Sequence, residues 1–129
     1  MCNSFMHGNK LFDYHFQAIT SIHQQKIALE LGKPATAFVE PFSNGGFESG
    51  DCFGISWHSP AAELPLCGHG TMAAAAVIFE KFDNRKRVTF ETRSGVSLAA
   101  APYGEDRIEL RLPALTPSQG YAQSMKMSR

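Results

Sequence analysis

The segment from Met72 to Phe79 constrains the fold most, because it is apolar on every side of a predicted helix over Thr71–Phe82. A helix that is apolar all round is normally buried, since any exposed side would leave hydrocarbon in water. The chain has only 129 residues, so the elements that cover the helix must come from most of the remaining sequence. We therefore predict an α+β domain in which a curled sheet, mixed and mostly antiparallel, surrounds one central buried helix.

The turn before this helix, Cys67-Gly68-His69-Gly70-Thr71, is the strongest candidate for a binding site. Its two glycines allow the backbone to approach a ligand closely. The first N–H groups of a helix have no partner within the helix and carry the positive end of its dipole, which favours an anion such as a carboxylate. The alternative is an ordinary helix start, since glycine-rich turns often precede helices.

Two side chains of this turn could take part in chemistry. His69 can donate, accept or carry a proton near neutral pH, and Cys67 offers a thiol. We predict both as catalytic residues and Gly68, Gly70 and Thr71 as substrate-binding residues. For Cys67 the alternative is a small buried core residue, because free cysteine is among the most buried residue types.

The other elements follow from periodicity and turn chemistry. A helix is predicted over Ile22–Leu31, with Ile27, Ala28 and Leu31 on one face and Gly32 ending it. Strands are predicted at Thr36–Glu40, around the alternating Phe53, Ile55 and Trp57, and in an antiparallel meander over Val88–Thr92, Val96–Ala101 and Arg107–Leu112. Residues 1–118 are predicted to form one domain, and 119–129 a disordered tail.

Charge and cysteine content exclude several classes of function. The chain carries 12 basic and 12 acidic residues, which gives no electrostatic case for nucleic acid or an anionic membrane as a partner. The histidine and cysteine spacings match no metal-site pattern. Cys2, Cys52 and Cys67 are odd in number and far apart, so we predict no disulfide framework. Together with the absence of a secretory signal pattern, this predicts a cytoplasmic protein.

The stretch Phe53–Thr71 resembles the signature of the phenazine-biosynthesis-like (PhzF-type) isomerase family. Its order is a strand, then Ser59-Pro60, then Cys67-Gly68-His69-Gly70-Thr71, then a helix. The resemblance extends from about residue 8 to about residue 118 and includes further short matches at Gln25–Ala28, Thr36–Val39, Phe90–Gly95 and Leu112-Pro113.

This resemblance implies a fold like diaminopimelate epimerase, with two halves that each wrap a sheet around a helix and an active site between them. It implies proton transfer on a small carboxylated substrate, without a cofactor or a metal. His69 and the turn amides would hold the substrate, and Cys67 stands where the related epimerases have a catalytic base. Gly8-Asn9 is similar to an early family motif, which makes Asn9 a substrate-binding candidate, although Lys10 replaces the motif's proline.

The chain departs from the family pattern in two ways. The family's acid/base glutamate precedes the Thr36-Ala37-Phe38 run, where this chain has Ala35, and alanine cannot carry a proton. The chain also has about half the length that the resemblance implies. Three hypotheses remain open: a domain that keeps substrate binding or weak activity, with two copies pairing as a homodimer; a non-catalytic interaction protein; or a truncated isoform of such an isomerase.

Overall fold

The described residues form one mixed sheet and three helices. The structure, a computed structural model, describes residues 19–42, 46–82, 86–113 and 122–128. The helices are α1 (Ser21–Leu31), α2 (Gly46–Ser49) and α3 (Gly68–Lys81); the strands are β1 (Thr36–Pro41), β2 (Cys52–His58), β3 (Glu63–Leu64), β4 (Val88–Glu91), β5 (Ser97–Tyr103), β6 (Arg107–Pro113) and β7 (Ala122–Ser128). The predicted α+β class is confirmed.

The strand order is β1-β2-β4-β5-β6-β7, with the short β3 beside β2. Neighbouring strands are antiparallel except for β2 and β4, where Cys52–Gly54 pairs in parallel with Thr89–Glu91. Parallel neighbours need a long connection, and α3 lies within that connection. The predicted meander is confirmed as β4, β5 and β6.

Helix α3 is central but covered on one side only. Thr71, Met72, Ala75, Ile78 and Phe79 are buried and pack on inward-facing side chains of the sheet, including Phe53, Trp57, Phe90, Leu98, Ile108 and Leu110. On the opposite side Ala73 is exposed and Val77 has half of its surface in solvent. The prediction of burial on every side was therefore too strong, because the described sheet is open at β1 and does not enclose the helix.

Helix α1 lies on the outer face of the sheet. The Thr20 side chain accepts a hydrogen bond from His23 N, and Gly32 ends the helix in the left-handed conformation with φ 62°. Gly32 confirms the predicted end of the helix, and the helix begins at Ser21, one residue before the predicted start at Ile22. The packed face differs from the prediction: Gln24 and Ala28 are buried, whereas Ile27 and Leu31 are exposed. The reason is that the surface of β2 beneath α1 is polar, since it carries the buried side chains of Ser56 and His58.

Two further expectations differ from the structure. A disordered tail was predicted over 119–129, but Ala122–Ser128 form β7 and pair antiparallel with β6 along its whole length. No disulfide was predicted, yet Cys52 is disulfide-bonded. Within the described ranges, no helix combines the length and the apolar character that a membrane crossing requires.

Candidate functional site

The amino end of α3 is fixed by Cys67, which precedes the helix in an extended conformation with φ −140° and ψ 105°. Its Sγ accepts a hydrogen bond from Gly70 N at 3.4 Å. Its carbonyl oxygen accepts from Thr71 N at 3.1 Å and from Thr71 Oγ1 at 2.7 Å. The amides of Gly68 and His69 belong to the first turn, where no preceding helical carbonyl can accept from them. No acceptor for either amide occurs in the part of the chain that the structure describes, which leaves both open to an anion.

Gly70 is required by the close approach of Trp57. A Cβ atom on Gly70 would lie 2.8 Å from Trp57 Cδ1 and 3.3 Å from both Trp57 Nε1 and Cys67 Sγ. Trp57 itself is 2% exposed, so its ring cannot easily move away. Its Nε1 is buried and has no hydrogen-bond partner among the described residues. The glycine therefore allows α3 to begin directly against the indole ring.

The structure brings five of the six predicted site residues together at this helix end, in different environments. The His69 side chain is exposed, and Cys67 is a partly buried free thiol. Gly68 and Gly70 contribute only backbone groups to the site. Thr71 is buried, and its hydroxyl is already used by Cys67 O, which argues for a role in fixing the turn. Asn9 lies outside the described residues. The roles of all six stay predictions.

An apolar groove of about 600 Å³ runs along the uncovered side of α3, between this helix and β1. It brings Ala35 and Gly70 to the same surface, together with Thr36, Ala73 and Val77. Its charged lining residues are both cationic, Lys33 and Lys81, and none of its described lining residues is an Asp or Glu. The groove thus favours a partly apolar anion, and its described lining offers no carboxyl group for proton transfer.

Sequence reasoning missed one polar atom of this groove, the hydroxyl of Thr36. Thr36 Oγ1 is buried and has no hydrogen-bond partner among the described residues. Buried hydroxyls are normally paired, so an unpaired one beside Ala35 is a candidate ligand contact. The available signal was its position next to Ala35, immediately after the site where the family resemblance places the acid/base residue.

A second polar cluster lies under α1, on the opposite face of β2. Gln24 Oε1 accepts from Ser56 Oγ at 2.9 Å and lies 3.1 Å from His58 Nε2, and Arg93 Nη2 donates to it at 3.4 Å. Gln24 Nε2 donates to Glu40 Oε1 at 3.3 Å. Burial raises the pKa of Glu40, and the nearby Arg93 guanidinium offsets part of that rise. These residues come from four separate segments, so no local sequence pattern could have predicted the cluster.

No group of three or more His, Cys, Asp or Glu side chains is arranged to hold a metal ion anywhere in the described ranges. The chemical groups at the amino end of α3 are therefore backbone amides, a thiol and an imidazole. Amides and imidazole suit the binding of a carboxylate, and thiol and imidazole are groups that can transfer protons.

A sequence profile described as "Phenazine biosynthesis-like protein" matches residues 7–128. The chain belongs to this family. Among curated relatives, it is 45% identical over 91 residues to a human phenazine biosynthesis-like domain-containing protein, which covers 69% of this chain and 31% of the relative. It is 35% identical over 114 residues to an uncharacterized isomerase from Pseudomonas aeruginosa, covering 87% of this chain and 40% of that protein.

A solved structure supports the fold of the family. The crystal structure of a PhzF-family phenazine biosynthesis protein from Enterococcus faecalis is similar to this chain with a TM-score of 0.63 and 28% identity, over 78% of this chain and 36% of that chain. The matched segments span 31% to 40% of the length of these relatives. It is a phenazine biosynthesis-like domain with isomerase-like relatives.

Proposed function

We propose that this phenazine biosynthesis-like domain binds a small carboxylated molecule at the amino end of α3 and by itself catalyses little or no proton transfer. One observation carries the proposal: Ala35 and Gly70 line the same groove. Position 35, which the family resemblance assigns to the acid/base residue, therefore faces the anion-binding turn but carries only a methyl group.

The groups around the groove support the binding half of the proposal. The Gly68 and His69 amides can donate to a carboxylate, and the exposed His69 ring can approach it. Lys33 and Lys81 add positive charge, while Ala73, Val77 and Phe82 offer apolar surface to the rest of the ligand. Few polar contacts fixing one end of a largely apolar ligand are typical of small-molecule sites.

The absence of an acid/base side chain at position 35 supports the other part of the proposal, that the domain by itself catalyses little or no proton transfer. A positioned general acid or base typically contributes about 100- to 10,000-fold in rate. None of the described carboxyl groups lines the groove in its place. Cys67 and His69 remain as candidate proton carriers, and any residual activity would depend on them.

Binding is tested by titrating the ¹⁵N-labelled chain with benzoate and, as the uncharged matched probe, benzamide. We expect benzoate to shift the Gly68, His69 and Gly70 amide resonances with saturation in the millimolar range, and benzamide to shift them far less. His69→Ala should weaken benzoate binding several-fold, whereas His23→Ala, an exposed histidine on α1, should leave it unchanged. The absence of any saturable shift up to about 10 mM benzoate would rule the binding site out.

The lack of turnover is tested separately, by incubating the chain in D₂O with the carboxylic acids that bind best and measuring deuterium incorporation by mass spectrometry. We expect no incorporation above the solvent background. Rapid incorporation that His69→Ala or Cys67→Ser abolishes would show that this chain is an active proton-transfer catalyst, and the second half of the proposal would be wrong.

A second candidate function, an interaction role through a homodimer, is favoured by the same groove. Val77 and Leu31 expose about half of their surface, and both line the groove. In a pair of copies, the groove of one copy would be closed by the other, which would complete a site that has only one wall in a single chain. A truncated isoform remains the other alternative to an isomerase.

A further inference from the structure

A second crevice lies on the other edge of β2, away from the groove. It has a volume of about 420 Å³ and lies between β3 and the turn that follows β4. Its lining includes Ile55, Trp57, Glu63, Leu64 and Arg93, and it includes none of the described residues Cys67–Gly70. The crevice is therefore distinct from the proposed carboxylate site at the amino end of α3.

The position of this crevice follows from the strand topology. The parallel ladder ends at Gly54 on β2 and at Glu91 on β4. Beyond it, β2 continues to His58 and pairs with β3, whereas the chain after β4 turns away at Thr92–Gly95. The gap opens where the two strands diverge, between the carboxyl end of β4 and residues 55–57 of β2.

The mouth of the crevice carries one positive and one negative side chain. Arg93 Nε lies 3.3 Å from Glu63 Oε1, and the two side chains are 54% and 38% exposed. Arg93 Nη2 also donates to the buried Gln24 Oε1 at 3.4 Å. These contacts use only two of the five guanidinium N–H groups. Further N–H donors of Arg93 and Glu63 Oε2 are thus open to a ligand.

The turn that carries Arg93 is well ordered by its own hydrogen bonds. Thr92 Oγ1 accepts from Val96 N at 3.0 Å, and Thr92 N donates to Val96 O at 3.0 Å. Gly95 closes the turn with φ 85°, a conformation that favours glycine. The turn bonds fix the backbone at Arg93, and the contacts with Glu63 and Gln24 restrict its side chain, which reduces the entropy lost when a ligand binds.

Besides Glu63 and Arg93, the crevice is lined by four apolar residues, Ile55, Trp57, Leu64 and Pro65, and by three hydroxyl-bearing residues, Ser56, Thr92 and Ser94. Ile55 and Trp57 are nearly buried at its base, and Trp57 Nε1 has no partner among the described residues. Glu63 would repel a ligand that carries only a negative charge, and Arg93 would repel a ligand that carries only a positive charge. A ligand with adjacent positive and negative groups satisfies both, and an apolar side chain would fill the space behind them.

We propose that this crevice binds a free α-amino acid with an apolar side chain, with its carboxylate on Arg93 and its ammonium group on Glu63. The α-carboxylate and α-ammonium groups are separated by a single carbon, which matches the close spacing of the Arg93–Glu63 pair. The apolar side chain lies against Ile55, Leu64 and Trp57. This site is independent of the carboxylate site at α3.

The proposal is tested with L-leucine and two analogues that each lack one charge, 4-methylpentanoate and 3-methylbutylamine. Trp57, the single tryptophan of the chain, also lies against Gly70 of the α3 turn, so its signals do not separate the two sites. Binding in the crevice is therefore followed by the Arg93 Nε–Hε resonance, and binding at α3 by the Gly68 and Gly70 amides. We expect saturable binding of L-leucine and binding of each analogue that is weaker by about tenfold or more, since each loses a charge-assisted contact. Equal binding of either analogue would contradict the zwitterion assignment.

Variants then locate the site. Arg93→Gln and Glu63→Gln should each weaken leucine binding by about tenfold or more, with thermal unfolding measured to confirm that the fold is kept. Arg111→Gln is the matched control, because Arg111 Nε forms a similar exposed pair with Glu109 at 3.5 Å on β6. His69→Ala should leave leucine binding unchanged. Retained binding in Arg93→Gln, loss in His69→Ala, or no saturation by wild type up to about 10 mM would each overturn the proposal.

Discussion

At the scale of single residues, the contact between Gly70 and Trp57 determines how α3 begins. Replacing a helical glycine with alanine usually stabilises a helix by about 1 kcal/mol. At position 70 the added methyl group would meet Trp57 Cδ1 at 2.8 Å, and the buried ring has little room to yield. Steric conflict should therefore outweigh helix propensity at this position.

We predict that Gly70→Ala destabilises the domain by about 1–3 kcal/mol, measured by urea unfolding. In a Trp57→Leu background the same substitution should cost clearly less, because the ring that it meets is gone. A double-mutant cycle over Gly70→Ala and Trp57→Leu isolates this coupling. If the two effects simply add, the contact is not what requires glycine at position 70.

At the scale of elements, α1 is attached by polar rather than apolar contacts. Its buried residues are Gln24 and Ala28, and Gln25 Nε2 adds hydrogen bonds to the carbonyl oxygens of Ser59 and Pro60 at 2.8 Å and 3.1 Å. Polar groups under a helix stabilise its position only while every partner is satisfied. The charge state of Glu40, which accepts from Gln24, therefore affects how firmly α1 is held.

The raised pKa of Glu40 predicts a pH dependence with a definite sign. Between the ordinary glutamate pKa of about 4.3 and the raised folded-state value, the folded chain binds more protons than the unfolded chain, so stability falls as the pH rises. Above that window the ionised, partly buried carboxylate keeps its desolvation cost. Glu40→Gln removes the charge while it retains an oxygen that can accept from Gln24.

We therefore expect Glu40→Gln to raise Tm at pH 8 by a few degrees at most and to match wild type near pH 4. Glu30→Gln, the same change at an exposed position on α1, should leave Tm almost unchanged at both pH values. Circular dichroism melts measure all three chains. A lower Tm for Glu40→Gln than for wild type at pH 8 would show that attraction by Arg93 exceeds the cost of burial.

Helices and strands whose apolar residues recur with one clear period were predictable from the sequence. Contacts between distant segments were not. Alternation of Ile108, Leu110 and Leu112 predicted β6, and Gly32 and Pro34 predicted the end of α1. Gln24 did not belong to the predicted apolar face of α1, yet it is buried because Ser56, His58 and Arg93 provide polar partners for it. Polar side chains that pair between distant segments leave no periodic pattern within any one segment.

The candidate site was also only partly predictable, because local signals are visible in the sequence and tertiary contacts are not. The turn from Cys67 to Thr71 lies within one continuous stretch, so its position at a helix start followed from local signals. The approach of Ala35 to Gly70 follows from tertiary packing and was expected only through the family resemblance. The Thr36 hydroxyl could not be singled out, because the absence of a partner depends on everything that surrounds it.

At the scale of the whole molecule, the uncovered side of α3 leaves apolar surface exposed to solvent, and a binding partner could cover it. Val77 is half exposed at the centre of the groove side, and exposed apolar surface that borders a cleft is typical of interfaces. The homodimer candidate predicts that the wild-type chain is a dimer in size-exclusion chromatography with light scattering.

Val77→Glu should convert that dimer to a monomer while the free energy of unfolding of the monomer stays within about 0.5 kcal/mol, as for other surface changes. Ile22→Glu is the control, since Ile22 is 70% exposed on α1 and does not line the groove. A wild-type chain that elutes as a monomer, or a Val77→Glu variant that remains dimeric, would exclude this interface.

The parallel ladder between β2 and β4 also has a consequence for how the domain assembles. Residues on either side of it belong to units that can form locally: β1 with β2, and β4 through β7 in chain order. Among the described strands, only Cys52–Gly54 and Thr89–Glu91 join these units edge to edge, and the intervening chain, including α3, must close before they can meet. Loop closure precedes the gain from such distant contacts. Folding should therefore proceed by two early units that join late, and amide hydrogen exchange should be fastest within the sheet at this joint.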